Sequence, residues 1–346
     1  MSKLSFASDY MKSAHPRILA RMMETAAEGF DGYGLDPVSE SARAKIRQAC
    51  DAPNAYIHFM VGGTQANATV IDALLRNYQG VLAAVTGHIA VHEAGAVEFG
   101  GHKVLTLPSH DGKVAAEDLR QYLEAFYADP TFDHMVIPGM LYISQPTENG
   151  TLYSKEDLEA LRKVCQDHHL PLYIDGARLA YALACPQNDV DLPELARLAD
   201  VFYIGGTKCG ALFGEAVVIP DPSILPHFFT TVKQHGGLLA KGWMAGPQFD
   251  TLFTDNLYME IGKSALTKAE RLRDTFSELG WEFHFDSPTN QIFVVVENGI
   301  LDRIKDQVAF SVWEPVDDSH TAVRFATSWS TTDEEVDALI SLLTSL

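Results

Sequence analysis

The sequence predicts an α/β fold, a large domain with a mainly parallel seven-stranded sheet plus a smaller α+β C-terminal domain, and three observations predict it. Between about residues 38 and 220, helical and strand-like segments alternate, the pattern of a parallel sheet covered by helices. The strand-like segments are short continuous apolar runs, as expected of strands buried on both faces. Beyond residue 248 the alternation gives way to one long helical stretch and then a group of short strands.

Helices are expected at 38–50, 64–78, 115–128, 154–169 and 191–199, several opened by a capping residue such as Ser154 or Asp191. Between them lie the strand candidates AYIHFM (55–60), VLAAV (81–85), KVLTL (103–107), MLYIS (140–144), LYIDG (172–176), VFYIG (201–205) and AVVIP (216–220). The long helical stretch runs from 248 to about 280. After it come WEFHF, QIFVVV, AFSVW and AVRFA as short strands, with helices near 300–307 and 332–345. No repeat, low-complexity tract or charged linker intervenes. The expected division is therefore 1–247, an N-terminal arm and large cofactor-binding domain, and 248–346, a linking helix and small C-terminal domain.

Composition narrows the class. With 346 residues and 47% hydrophobic content the chain can bury a large core, and its 26 basic against 46 acidic residues give a formal charge of -20. Such a surface repels phosphate backbones and anionic lipid, which excludes nucleic-acid and membrane partners from the expectation. Cys50, Cys165, Cys185 and Cys209 are scattered with no C-x-x-C pair, as expected of a reducing, cytoplasmic setting. The N-terminal MSKLSFASDYMK lacks the continuous apolar core of a signal peptide, and no apolar run reaches roughly 18 residues.

The chemistry is densest in VFYIGGTKCGALFGEAVVI (201–219), where a buried strand ends in two glycines and presents Thr207 and Lys208. An amine there, its pKa lowered by its surroundings, forms an imine with an aldehyde cofactor; alone, the segment serves equally well a loop lysine pointing to water. Upstream, PLYIDGARLA (171–180) ends another apolar strand with Asp175. Open α/β sheets bind ligands at such strand ends. A carboxylate here keeps a pyridinium nitrogen protonated, as pyridoxal 5'-phosphate requires, or else caps the following helix. FMVGGTQANA (59–68) supplies Gly62, Gly63 and Thr64 at a strand-to-helix turn, donors for a phosphate and also the punctuation of many ordinary connections.

VTGHIAVHEAGAVEFGGHK (85–103) contains His88, His92 and Glu93. The i, i+4 histidine pair invites a zinc reading, but no third ligand stands at a recognisable spacing, so no metal is expected. An imidazole at a strand end can instead stack on a flat cofactor ring and relay protons, and a satisfied structural histidine is the plain alternative for His92.

Taken together, FASDYM (6–11), YGLDP (33–37), VGGTQAN (61–67), GHIAVHEAGA (87–96), YIDGARLA (173–180), GGTKCG (205–210) and VRFATSW (323–329) resemble the low-specificity L-threonine aldolases along nearly the whole chain. The resemblance implies a fold-type-I enzyme of pyridoxal 5'-phosphate that cleaves L-threonine, L-allo-threonine and related β-hydroxy-α-amino acids to glycine and an aldehyde. It also implies a homotetramer, a dimer of dimers with shared active sites. Residue by residue, Lys208 is similar to the Schiff-base lysine, with Thr207 before it, Asp175 to the partner of the pyridine nitrogen, and His88 to the stacking residue. Gly63 and Thr64 resemble the phosphate cup. Ser8, Arg178 and Arg324 resemble the clamp on the substrate carboxylate, suited to it because guanidinium grips carboxylate in two-pronged fashion. Tyr33 and Lys241 are looser matches, the latter where many relatives carry an arginine near the neighbouring subunit's phosphate.

One departure stands out. Where many relatives have a histidine in an N-T-H-N run, this chain reads SQPTENG (144–150), with Glu148 at that place. The base acting on the β-hydroxyl is then His88 or Glu148. The rival readings are other fold-type-I chemistries, a β-eliminating lyase, an aminotransferase or an amino-acid racemase, which use the same lysine, aspartate and glycine turn.

Overall fold

The computed structural model describes residues 3–346. The N-terminal arm contributes β1 (Leu4–Ser5), and the seven apolar runs become β2 (Tyr56–Met60), β3 (Gln79–Ala84), β4 (Val104–Leu107), β5 (Ile137–Ser144), β6 (Leu172–Asp175), β7 (Val201–Gly205) and β8 (Glu215–Ile219). These seven form one sheet in the order β2-β8-β7-β6-β5-β3-β4. Strands β3 to β7 pair in parallel, whereas β8 is antiparallel to both β7 and β2. The reversal has a simple cause: residues 206–214 are all that join β7 to β8. A parallel crossover needs roughly a dozen residues or more.

Alternation along the strands sorts side chains onto two buried faces. On one, Met60, Tyr142, Tyr173, Tyr203 and Val217 pack with Ala66 and Val70 of the helix Gly63–Leu74. On the other, Ile143, Ile174, Phe202 and Val218 meet Leu158 and Leu161 of the helix Lys155–Asp167. That second helix is opened by Ser154, whose hydroxyl accepts the Asp157 amide while the Asp157 carboxylate accepts the Ser154 amide. Apart from the long stretch after 248, the expected helices form, each within a few residues of its predicted limits. The exception in length is 64–78, which ends at Leu74.

The single long helix expected from 248 to about 280 is instead two, Ala245–Leu252 and Leu257–Glu278. Between them Asp255 and Asn256 adopt left-handed backbone, φ 51° and 60°, which aspartate and asparagine tolerate and which stops a right-handed helix. The helix Pro16–Thr25, capped by His15, has no counterpart among the expected elements.

After this come β9 (Glu282–Phe283), β10 (Gln291–Glu297), β11 (Val308–Ala309), β12 (Ser311–Pro315) and β13 (His320–Ala326). Four of them make an antiparallel sheet in the order β12-β13-β10-β9. It buries Ile292, Val294, Val323 and Phe325 against Phe276 and against Val336 and Leu339 of the helix Asp333–Thr344. Strand β1 pairs with β11, and Phe6 enters this same cluster. The arm is thereby anchored in the C-terminal layer, and residues just past it, Ala7 to Asp9, are carried to the edge where β5, β6 and β7 end.

Candidate active site

At that edge lies a cleft of about 350 Å³ lined by Gly62, Gly63, Thr64, His88, Glu148, Asp175, Arg178, Thr207 and Lys208, with Tyr10, Ser144, Tyr203, Phe213 and Glu215. Residues from six separate expected motifs thus meet in one place. No group of three or more His, Cys, Asp or Glu side chains is placed to hold a metal among the described residues.

One end of the cleft is a helix start. Gly62 is the N-cap with extended backbone and no side-chain cap, and the Ala66 amide makes the first helical bond, to the Gly62 carbonyl at 3.0 Å. The amides of Gly63, Thr64 and Gln65 have no partner among the described residues, so they and the helix dipole present positive potential to the cleft. A Cβ at Gly62 would meet open space, and one at Gly63 would stand 3.0 Å from the Tyr203 hydroxyl, which explains why the second position is tight.

Lys208 follows the Gly205–Gly206 turn, and Gly205 is glycine because a Cβ would strike the Ala177 carbonyl at 2.3 Å. Its Nζ makes no hydrogen bond or ion pair among the described residues. Burial, and then the Arg178 guanidinium, lower the lysine pKa against the opposing pull of Asp9, Asp175 and Glu215.

Asp175 ends β6 and is 4% exposed. Its Oδ1 accepts the Tyr203 hydroxyl at 2.5 Å and the Ala177 amide at 2.9 Å, and its Oδ2 accepts the Tyr142 hydroxyl at 2.7 Å and Asn67 Nδ2 at 3.0 Å. Burial works against the charge, but these donors and His88 bring the carboxyl below its ordinary pKa. Asn67 also donates to Glu93 Oε1 at 2.7 Å and accepts the Tyr173 hydroxyl at 2.9 Å. Glu93 Oε1 in turn faces His88 Nδ1 at 2.7 Å. Against a carboxylate that ring nitrogen carries the proton, which leaves Nε2 for the cleft. Burial disfavours the imidazolium, yet Glu93 and Asp175 raise the His88 pKa overall.

Glu148 stands beside His88: its Oε1 accepts the His88 amide at 2.9 Å and the Ser144 hydroxyl at 2.7 Å. Burial raises its pKa, with Asp175 adding repulsion against the Ser144 bond.

The three expected clamp residues behave differently. Arg178 is gripped by Asp9, Nε to Oδ2 at 2.6 Å and Nη2 to Oδ1 at 3.1 Å, so its fork is taken up within the protein and only Nη1 lacks a partner among the described residues. Burial opposes the Asp9 charge, but Arg178 and Lys208 hold its pKa at about 2. Arg324 donates to Gln291 Oε1 at 2.9 Å and to the Ala7 carbonyl at 3.0 Å while its Nε is buried without a partner, and the Ser8 hydroxyl is buried without one too. Tyr33 and Lys241 lie outside the cleft. Tyr33, 41% exposed, bonds through its amide to the Ala240 carbonyl at 3.2 Å, which sets it beside Lys241 on the outer surface.

Sequence reasoning missed Asp9, Asn67, Ser144, Glu215 and the tyrosines. A signal for the last was present: Tyr142, Tyr173 and Tyr203 each lie two residues before a strand end, and alternation puts all three on the face of Asp175.

Comparison with known proteins agrees with this architecture. The beta-eliminating lyase family matches residues 5–298. A low specificity L-threonine aldolase of a Pseudomonas species is 28% identical over 340 residues, 96% of this chain and 95% of that one. The solved structure of the threonine aldolase of Leishmania major superposes with a TM-score of 0.95 at 39% identity, over 99% of this chain and 98% of that one. A Thermus thermophilus aspartate aminotransferase shares the fold, with a TM-score of 0.72 at 16% identity over 99% of this chain and 91% of that one. On these matches, and with the lysine, aspartate and glycine turn gathered in one cleft, the chain belongs to the beta-eliminating lyase family and, within it, to the threonine aldolases.

Proposed function

We propose that this chain cleaves L-threonine, L-allo-threonine and related β-hydroxy-α-amino acids to glycine and an aldehyde, with pyridoxal 5'-phosphate held in the cleft. The observation that carries the reading is the set of unpaired groups lining it, the Lys208 amine and the amides of Gly63 and Thr64; the Ser8 hydroxyl and Arg324 Nε, outside the lining, are buried without partners among the described residues. The donor set fits the cofactor end to end: a side-chain-free helix start for a phosphate, a free amine for an aldehyde, and a charged carboxylate for a ring N–H. Bound there, the cofactor supplies a carbonyl that condenses with amines and a pyridinium ring that accepts the electron pair released at the substrate Cα.

The protein's part follows from its own groups. Asp175, kept ionised by its four donors, holds the ring nitrogen protonated. The lowered pKa of Lys208 leaves more of its amine uncharged and nucleophilic. Arg178, which lines the cleft and whose Nη1 has no partner among the described residues, would receive the substrate carboxylate together with Ser8 and Arg324, and His88, fixed by Glu93, would help hold the ring. Glu148 is the better base for the β-hydroxyl proton, because Oε2 makes no bond among the described residues and its raised pKa moves it toward neutrality.

We further propose that the working form is a dimer of dimers, in which the surface bearing Tyr33 and Lys241 completes a neighbouring copy's cleft. Exposed Tyr33, Leu35 and Leu239 beside them favour such burial. Cys50, Cys165, Cys185 and Cys209 are all free and buried, in keeping with a reducing, cytoplasmic setting; no helix among the described residues is long and apolar enough to cross a membrane. The test is product analysis on purified protein with L-threonine, L-allo-threonine and phenylserine. Glycine and an aldehyde are expected; pyruvate and ammonia from serine, with no glycine from threonine, would replace aldol cleavage by elimination.

A further inference from the structure

One buried carboxylate in the cleft has no part in the chemistry above. Glu215 opens β8 and is 3% exposed. It pairs in register with Gly205 of β7 and with Met60 of β2, the strands that lead into Lys208 and into the Gly62–Thr64 turn. Its Oε2 accepts the Gly206 amide at 2.9 Å, which ties it to the turn that presents Lys208. Alternation puts it on the face of Val217 and Ile219, toward the helix that begins at Gly63, and it lines the same cleft. A charged Glu215 would therefore compete with a bound phosphate for the positive potential of that helix start.

We propose that Glu215 is a proton-linked positioning residue of the cofactor site, keeping its proton when a phosphate monoester occupies the Gly62–Thr64 turn and releasing it to solvent when the turn is empty at alkaline pH. The inference rests on the reading of the cleft as a pyridoxal-phosphate site. The groups facing Glu215 are Tyr203, Lys208 and Cys209 from β7 and its turn, Tyr173 and Asp175 from β6, and Tyr258 from the helix Leu257–Glu278. Met60 faces it from β2, and the first turn of the helix Gly63–Leu74 holds no titratable side chain. Burial raises the Glu215 pKa to about 7 even though Thr207, the Gly206 amide and Lys208 favour the charged form. A dianion nearby raises it further, so binding takes up a proton and affinity falls as pH climbs above about 7.

Pyridoxine 5'-phosphate is the suitable probe, since it keeps the ring and phosphate but has no aldehyde to condense with Lys208. Its dissociation constant is measured by calorimetry on the cofactor-free full chain between pH 6.5 and 8.5, for the wild type and for Glu215→Gln, whose amide oxygen still accepts the Gly206 N–H. The phosphate's own ionisation affects both proteins alike. The ratio of wild-type to variant dissociation constants should climb by about tenfold from pH 7 to 8.5. A flat ratio overturns the role of Glu215. If the variant does not fold, titrations of the wild type with inorganic phosphate, which has no ring nitrogen for Asp175 to protonate, at pH 8 in two buffers of different ionisation heat count protons directly: uptake supports the proposal and none defeats it. A wild type that binds neither this probe nor pyridoxal 5'-phosphate at any pH defeats the cofactor reading itself.

Discussion

The floor and the rim of the cleft are built on opposite terms. On the floor, Asp175, Asn67, Tyr142, Tyr173 and Tyr203 bond one another, and Glu93 Oε2 is the one side-chain oxygen of their network buried without a partner among the described residues. On the rim, Lys208 Nζ and the amides of Gly63 and Thr64 have no partner among the described residues, while Ser8 Oγ and Arg324 Nε, outside the lining, are buried without one. An unmet buried polar group costs about 1 to 3 kcal/mol, so groups such as Ser8 Oγ and Arg324 Nε persist because the packed sheet holds them, and on the proposed reading a ligand would complete the unpaired set. The difference teaches where to look for chemistry: on the proposed reading the floor sets charge and orientation, and the rim carries the binding and the proton and bond transfers.

The comparison breaks most clearly at Lys208. Lys208→Ala should lose the absorption band of the bound cofactor and about 10,000-fold or more in kcat. Full turnover would mean that the open amine is incidental. Next is Glu148→Gln, for which a loss of about 100 to 10,000-fold in kcat is expected. Because the Glu148 pKa is raised, its basic form is lost as pH falls through a value above the ordinary carboxylate range. The acid limb of kcat/KM should lie correspondingly high in the wild type and vanish in the variant; an unchanged limb would move the base to His88.

A floor substitution should act more gently and on more properties at once. Tyr203→Phe removes one of four donors to Asp175 and should lower stability by about 1.5 to 3 kcal/mol and kcat by about tenfold, read by thermal melts and steady-state kinetics. A loss as complete as that of Lys208→Ala would erase the distinction between the two parts. The smallest effect is expected at Asp9, which ties down Arg178. Its folded pKa of about 2 lies below the ordinary 3.8, so its stabilisation is present above about pH 4 and is lost as pH falls toward 2. That amounts to about 2 kcal/mol, which denaturant titrations of wild type and Asp9→Asn across this window would show.

Much of the molecule is legible in the amino-acid sequence. Each apolar run between 55 and 220 forms a strand, because a strand buried on both faces needs only its own composition to announce itself. Lys208, Asp175, Thr64 and His88 are legible for a related reason: they sit at strand ends and glycine turns, which local sequence marks. The break at Asp255 and Asn256 is harder to read, since neither residue stops a helix unless its backbone turns left-handed.

What the sequence determined alone is the succession of the seven sheet strands along the chain and the identity of the residues at their ends, because both follow from contacts a few positions apart. Tertiary structure decided the rest. Asp9 and Arg178 are distant in the chain, and only the pairing of β1 with β11 and the arm's path bring them together. Three tyrosines on neighbouring strands become donors to a single network only through the sheet's register. Charge and hydrogen bonding act through space, and the distances that govern them are set by packing rather than by position along the chain.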